Sequence, residues 1–332
     1  AGVNVLPCEL IEDNGTQLKQ LVLRHAAGWQ LGAGFEAFVN ERCRFLNTLV
    51  DRVVSGFPAD APQLWEKLGY EDELLACGET FMFFAIEGGP EIEELLPFRR
   101  AGLNVVIAPY ITPYRLRKVR ILNGAHTANV PAAYLAGLST VDEMMTHPVI
   151  GKFARAVIYD EIIPAVNLER GMLTAFADDV VNRFLEPSMH HQLASILMNC
   201  ASKIRARVLP SILDARSRGM LPKKLCFALA AFFALYRNAD GQIPVKVSRA
   251  GGLSGEFNDD AGAVAALSKA WSYYTGTEAS AQLTVKSILA DRSLWGQDLS
   301  SDVDLMQLTA KLTHAVISDG VLDTMRDLLE HP

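Results

Sequence analysis

The chain has 332 residues, 50% of them hydrophobic and 21% charged. At roughly 100–200 residues per domain, that length predicts two domains or one large one, and the composition excludes a disordered or collagen-like chain. A formal net charge of −7 argues against nucleic acid, whose binders need a basic surface, and leaves room for a small anion in a local basic pocket.

The apolar run at 3–7 reads as a short buried strand. Asn14-Gly15 then opens an amphipathic helix, with Leu18, Leu21, Val22 and Ala26 at helical spacing. A second helix is expected over about 34–45. The runs 81–86 (FMFFAI) and 103–108 (LNVVIA) are continuously apolar, the pattern of strands covered on both faces. At Thr112-Pro113 the character changes: Thr is a good cap and Pro suits the first helical position. Beyond it, helices are predicted over 114–135, 141–163, 170–184, 190–209, 222–236, 260–274 and 305–317. The longest polar stretch, 237–258, is read as a loop. The predicted architecture is mainly α with an α/β N-terminal portion, dividing at about residue 110. No fixed-period repeat is visible.

Five cysteines, Cys8, Cys43, Cys77, Cys200 and Cys226, are scattered and form no CxxC pair. Buried free thiols in a reducing compartment are expected, not a zinc site or a disulfide framework. The seven histidines show no metal-ligand spacing apart from the adjacent His190-His191, whose side chains would point about 100° apart on a helix, so no metal is expected. No charged segment leads into an apolar one at the start, so no signal peptide and a cytoplasmic protein are expected. The longest apolar run, 225–236, is shorter than the about 20 residues a bilayer requires, so no membrane association is expected. Gly32-x-Gly34 follows a helix-like segment, which makes it a loop signal and not a phosphate cradle.

The stretch KVRILNGAHT, 118–127, carries the chemistry. On a regular helix, with Lys118 at zero, Asn123 falls near 140° and His126 near 80°, at about 100° per residue. An ammonium, an amide and an imidazole then share one side of a helix, with Leu122 between them. Such a trio faces either a pocket or a buried hydrogen-bond network.

The block KVRILNGAHTANVPAAYLAG resembles the signature helix of the mannitol dehydrogenase family, which has a lysine, an asparagine five positions on and a histidine three beyond. Lys118, Asn123 and His126 match it. VLPCELIEDNG, NTLVDRVVSGFP, PYRLRKVRILNGAHT and IYDEIIPAVNL resemble family blocks in the same order. PCELIEDNG, LGYEDELL and ALAAFFALYR are most similar to the branch that acts on sugar acids. The resemblance implies the C-terminal part of a Rossmann-like NAD-binding domain over 1–110 and an all-α catalytic and substrate domain over 111–332. The family's Gly-rich dinucleotide motif has no counterpart here, so the chain is expected to be inactive on its own and to bind NADH weakly.

The resemblance further implies metal-independent, NAD-dependent interconversion of D-altronate and D-tagaturonate. Lys118 would be the general acid/base, its basicity lowered by burial against Leu122 and by Arg115 and Arg120. Asn123 and Asn47 would donate to the developing alkoxide. His126 would bind substrate hydroxyls, and Lys203 and His191 would contact substrate. Ser195 stands where mannitol dehydrogenases carry an arginine. Arg205 and Arg207 are either further anion ligands or a solvated basic face. Taken alone, Asn47 reads rather as a turn or cap residue. The implied partner is a small sugar acid, with a monomer or weak dimer. The alternative is a catalytically silent helical module derived from such an enzyme.

Overall fold

The apolar runs of the first hundred residues become strands. β1 (Asn4–Val5) pairs in parallel with β2 (Arg44–Phe45). β3 (Thr48–Asp51) is followed by a small antiparallel pair, β4 (Val54–Gly56) with β5 (Cys77–Gly78). β6 (Phe83–Glu87) lies between β3 and β7 (Val105–Ala108), antiparallel to the first and parallel to the second. Successive side chains of a strand point to opposite faces, and both faces of β6 are covered. Phe83 and Ala85 join Ile111, Leu49 and Tyr114; Ile86 joins Ile92, Val105 and Leu46. A strand packed on both sides has no polar alternation to show, hence the unbroken FMFFAI.

The computed structural model describes residues 2–58, 60–186 and 190–331. They fall into two compact units, residues 1–118 and 119–332. In the first, two expectations need correcting. The run 3–7 is not a buried strand: only Asn4–Val5 pairs, and Val3 is 52% exposed. The helix expected over 34–45 is a short one, Ala33–Ala37, then a π-helical turn, Phe38–Arg42, after which Arg44–Phe45 turns extended to partner β1. Tertiary pairing overrides local propensity there.

The second unit is built on the helix Lys223–Ala234, buried from Lys224 onward. It packs against the helices Gly124–Leu135 and Val303–Ser318, and the latter against Glu278–Ala290. Lys224 is tolerated inside because Asp160 lies 3.3 Å from its ammonium. Glu161 accepts from the Lys224 and Leu225 N–H groups at 2.8 Å each, which satisfies the open amides of that helix start.

The unit is not all-α. The polar stretch 237–258 contains an antiparallel hairpin, β8 (Val245–Arg249) with β9 (Leu253–Phe257). Val245 and Val247 are buried while Lys246 and Ser248 are exposed, the period-two pattern of a strand. The segment 141–163 breaks between Thr146 and Ile150, where Pro148 excludes helix from the residue before it. The segment 190–209 breaks at Asn199, left-handed at φ 54°. Helices Glu278–Ala290 and Val321–Glu330 were not anticipated. Among the described residues no helix is long and apolar enough to cross a membrane.

Candidate functional site

The helix carrying the lysine–asparagine–histidine pattern is not regular. It runs α over Thr112–Arg117, π over Lys118–Asn123, and α again over Gly124–Leu135. A π turn closes i→i+5 and is frequent at functional sites. The angles expected for a uniform helix therefore do not hold between Lys118 and Asn123. Thr112 is inside the helix and makes no cap hydrogen bond; Ile111 is the cap residue.

In the first unit the Lys118 ammonium donates to the Val50 carbonyl at 2.8 Å and lies 3.8 Å from the Asp51 carboxylate, both on β3. Asp51 is 2% exposed. Arg115, expected to repel Lys118, is held by Asp13 at 3.0 Å and Glu12 at 3.3 Å. In the second unit Arg120 is paired with Asp214. Carboxylates thus offset the positive charges that flank the lysine in sequence.

Asn47 sits in the first unit after β2. Its carbonyl oxygen accepts from the Thr16 backbone N–H at 3.0 Å, and its amide donates to Glu87 at 3.2 Å. It therefore caps the first turn of the helix Asn14–Gly28. The neighbouring Asn14 was read only as a helix opener and proves to be a buried tie. It donates to the Pro7 carbonyl at 2.9 Å and to Thr48 Oγ1 at 3.1 Å, and accepts from the Thr48 N–H at 2.9 Å.

In the second unit His126 is 7% exposed. Its ring stacks on Phe184, centroids 3.9 Å apart and planes 13° from parallel, and meets His191 edge-on at 5.5 Å. Among the described residues its buried Nε2 has no hydrogen-bond partner. Burial first, then the charges of His191, Arg183, Arg207 and Lys203, hold the imidazole well below its usual pKa. His126 is therefore a neutral ring near the cations Arg183, Arg207 and Lys203, with one polar atom that no described residue satisfies. Such an atom costs free energy unless something pairs with it. Phe184 and Arg183 were not anticipated. They end the helix Arg170–Phe184, and adjacent aromatic and basic residues at a helix end were the available signal.

His190 and His191 do not belong to a helix. His190 has φ 38°, and the backbone beyond it is extended. The Val141 N–H donates to the His191 carbonyl, and the Leu193 N–H to the Ser139 carbonyl. This pairing aims His191 at His126. Lys203 is half-buried and donates to the Ile196 carbonyl at 2.9 Å, a group left open by the helix break. Burial lowers its pKa, and Arg207 adds to the effect. Ser195 Oγ donates to the Gln192 carbonyl at 2.7 Å. Arg205 is exposed; Arg207 is half-buried. The Asn123 carbonyl accepts from Thr127 Oγ1 at 2.8 Å.

Among the described residues no group of three or more His, Cys, Asp or Glu side chains could hold a metal. All five cysteines are free thiols. Cys200 and Cys226 are buried as expected, but Cys8 is exposed because its segment lies outside the sheet pairing.

The sequence matches the mannitol dehydrogenase Rossmann domain over residues 1–96 and the mannitol dehydrogenase C-terminal domain over residues 110–317. It is 41% identical over 327 residues to an altronate oxidoreductase of Pectobacterium atrosepticum, covering 96% of this chain and 64% of that protein. Over 322 residues it is 41% identical to the same-named protein of Cronobacter sakazakii, again 96% of this chain and 64% of the relative. The chain thus spans about two thirds of the length of these relatives. The fold is similar to that of Pseudomonas fluorescens mannitol 2-dehydrogenase in ternary complex with NAD and D-mannitol. The TM-score is 0.74 at 23% identity, over 99% of this chain and 63% of that one. A D-sorbitol dehydrogenase in substrate-free form superposes with a TM-score of 0.75 at 20% identity, over 97% and 62% of the two chains.

Proposed function

Because the chain belongs to the mannitol dehydrogenase family, we propose that it is the substrate-handling part of an NAD-dependent altronate oxidoreductase. The reaction is the metal-independent interconversion of D-tagaturonate and D-altronate. The observation that carries this reading is His126, buried, neutral and with an unpaired Nε2, eight residues beyond Lys118 on one helical segment. The 41% identity to proteins named for that reaction supports it.

One glycine-containing helix start of the first unit does not suit a pyrophosphate. The strand–Gly–Gly–helix turn after β6 carries Glu91 and Glu93 in the first helical turn, and like charge opposes a pyrophosphate there. No residue is assigned to NAD, which would supply the hydride.

The proton and the orientation of the substrate are this chain's task. Lys118 gives a proton to the ketone oxygen as the carbon is reduced, and takes it back in the other direction. Its ammonium is held at the Val50 carbonyl and near the Asp51 carboxylate. Asn123 donates to the developing alkoxide without competing for the proton. Asn47 is the second donor; its amide gives one hydrogen to Glu87 and has one more to give. Nε2 of His126 pairs with a substrate hydroxyl, with His191 at the ring edge and Lys203 beside it. The protein works in the cytoplasm.

The test is NADH oxidation with D-tagaturonate, using the enzyme from its complete reading frame. Lys118→Ala should lower kcat by about 10²–10⁴-fold, the span for loss of a general acid/base. NADH affinity should be unchanged. A variant with near-normal kcat refutes the lysine's role, and a wild-type enzyme inactive on tagaturonate refutes the substrate.

A further inference from the structure

Arginines of the second unit that are not fully exposed have partners. Arg120 is paired with Asp214, Arg216 with Asp302 at 2.7 Å, and Arg155 donates to the Gly151 carbonyl at 2.9 Å. Arg249 donates to the Tyr134 carbonyl at 2.9 Å and lies over that ring. Arg207 differs. It is half-buried in the π turn Ile204–Val208, and among the described residues its guanidinium makes no hydrogen bond or ion pair. A partly desolvated cation without a counter-ion is costly to keep.

Two acidic groups of the described residues do not serve it. Cys200 is a buried thiol whose pKa is pushed far up by desolvation, so it stays neutral. The Asp259 carboxylate already accepts from the Ala201 N–H at 2.9 Å, from the Tyr236 hydroxyl at 2.5 Å and from the Asp260 N–H at 2.8 Å. The charges that act on the neighbouring His126 are all of one sign: His191, Arg183, Arg207 and Lys203. The π turn also abuts the signature helix. A Cβ on Gly124 would lie 3.2 Å from the Arg207 carbonyl oxygen, so residue 207 sits against the turn that carries Asn123 and His126.

We propose that Arg207, on the π turn that abuts the signature helix, is the specificity-determining cation for the carboxylate of a sugar-acid substrate, which completes a guanidinium that no described residue pairs. This deepens the function proposed above and rests on it. A neutral ketohexose would fill the same space and leave Arg207 unpaired. The preference for an acid over a neutral ketose of the same length should therefore depend on this side chain. The acid/base chemistry should not.

The experiment compares D-tagaturonate with D-tagatose as substrates of the complete enzyme, in wild type, Arg207→Gln and Arg207→Lys. Arg207→Gln should raise KM for tagaturonate about 10- to 100-fold, the usual worth of a hydrogen bond to a charged group. It should leave kcat/KM for tagatose within about threefold of wild type, and Arg207→Lys should recover part of the loss, since it restores charge without the planar fork. Equal losses on both substrates, or no change in KM for tagaturonate, would overturn the assignment. A wild-type enzyme inactive on both ketoses is a failure of the proposed reaction instead. Titration of the 332-residue chain with D-altronate and with the neutral alditol altritol then still decides on Arg207. Binding of altronate that is lost in Arg207→Gln supports the assignment, and binding indifferent to the substitution, or absent in wild type, refutes it.

Discussion

Two helices of the second unit, Gly124–Leu135 and Lys223–Ala234, have the same length, pack against each other, and are each buried in all but one residue. Their interiors are opposites. Lys223–Ala234 presents Leu, Phe, Cys and Ala, and its single buried charge, Lys224, is met by Asp160 and Glu161. Gly124–Leu135 buries His126, Thr127, Asn129 and Pro131. Pro131 has no N–H for the carbonyl four residues earlier. Asn129 turns its amide back onto the Ala125 carbonyl at 2.8 Å, while its own carbonyl oxygen, like Nε2 of His126, is left without a partner. Burial by itself does not distinguish structure from function. The distinction lies in whether buried polar atoms are satisfied from within the fold, and of these two helices, among the described residues, Gly124–Leu135 is the one that leaves some open.

If Lys223–Ala234 is purely a packing element, cutting its core should give the largest effect on stability. Phe232 is fully buried against Phe233, Tyr236 and Trp295. Phe232→Ala should lower the unfolding free energy by about 3–5 kcal/mol, from lost transfer and a residual cavity. Denaturant titration checks this, and a loss below about 1 kcal/mol would mean the helix is not the centre of the core.

The functional helix should respond to pH instead. Burial holds the folded-state pKa of His126 well below the ordinary imidazole value of about 6.5. Below pH 6.5 the unfolded chain binds a proton that the folded one refuses, so stability falls as pH drops towards the folded pKa. His126→Phe keeps a ring against Phe184 and removes that proton. The other groups facing the ring, His191, Arg183, Arg207 and Lys203, are common to both proteins. Wild type should therefore lose about 1.4 kcal/mol more than His126→Phe between pH 8 and pH 5.5. Parallel pH profiles for the two proteins would show that His126 titrates normally and that its site is open to water.

The same contrast marks how far the sequence is legible. The run 225–236 is read correctly as a helix because periodicity, length and flanking Pro222 agree. The parallel pair FMFFAI and LNVVIA is legible because two-sided burial removes polar alternation. KVRILNGAHT is visible as polar residues set in an apolar stretch. The π turn within it is not, since the same residue types serve both helical forms and the extra residue per turn is fixed by packing. The hairpin at Val245–Phe257 was hidden by its charged alternate positions. Phe184, Arg183 and Arg207 lie 58, 57 and 81 residues from His126 in sequence, and no local pattern ties them to it. Asn47 could be read as a cap or as a donor, and its contact with Thr16 is set by tertiary structure.

The smallest expected effect tests the closest approach between the signature helix and the π turn of Arg207. Gly124 begins the α-helical stretch, and a Cβ there would lie 3.2 Å from the Arg207 carbonyl oxygen, 3.5 Å from that of Val119 and 3.9 Å from Ile162 Cδ1. In an open helix Gly→Ala stabilises by about 1 kcal/mol, because alanine loses less backbone freedom on folding. Here the methyl group would press on a carbonyl fixed within a helical turn, and the neighbour must yield by a few tenths of an ångström. The two effects oppose each other at similar size, so Gly124→Ala should change stability by less than about 1 kcal/mol, on the destabilising side. Urea unfolding resolves that from the gain of an unobstructed site. A stabilisation near 1 kcal/mol would mean that Arg207 does not stand against the signature helix. The cation would then lie too far from His126 to act on the same substrate.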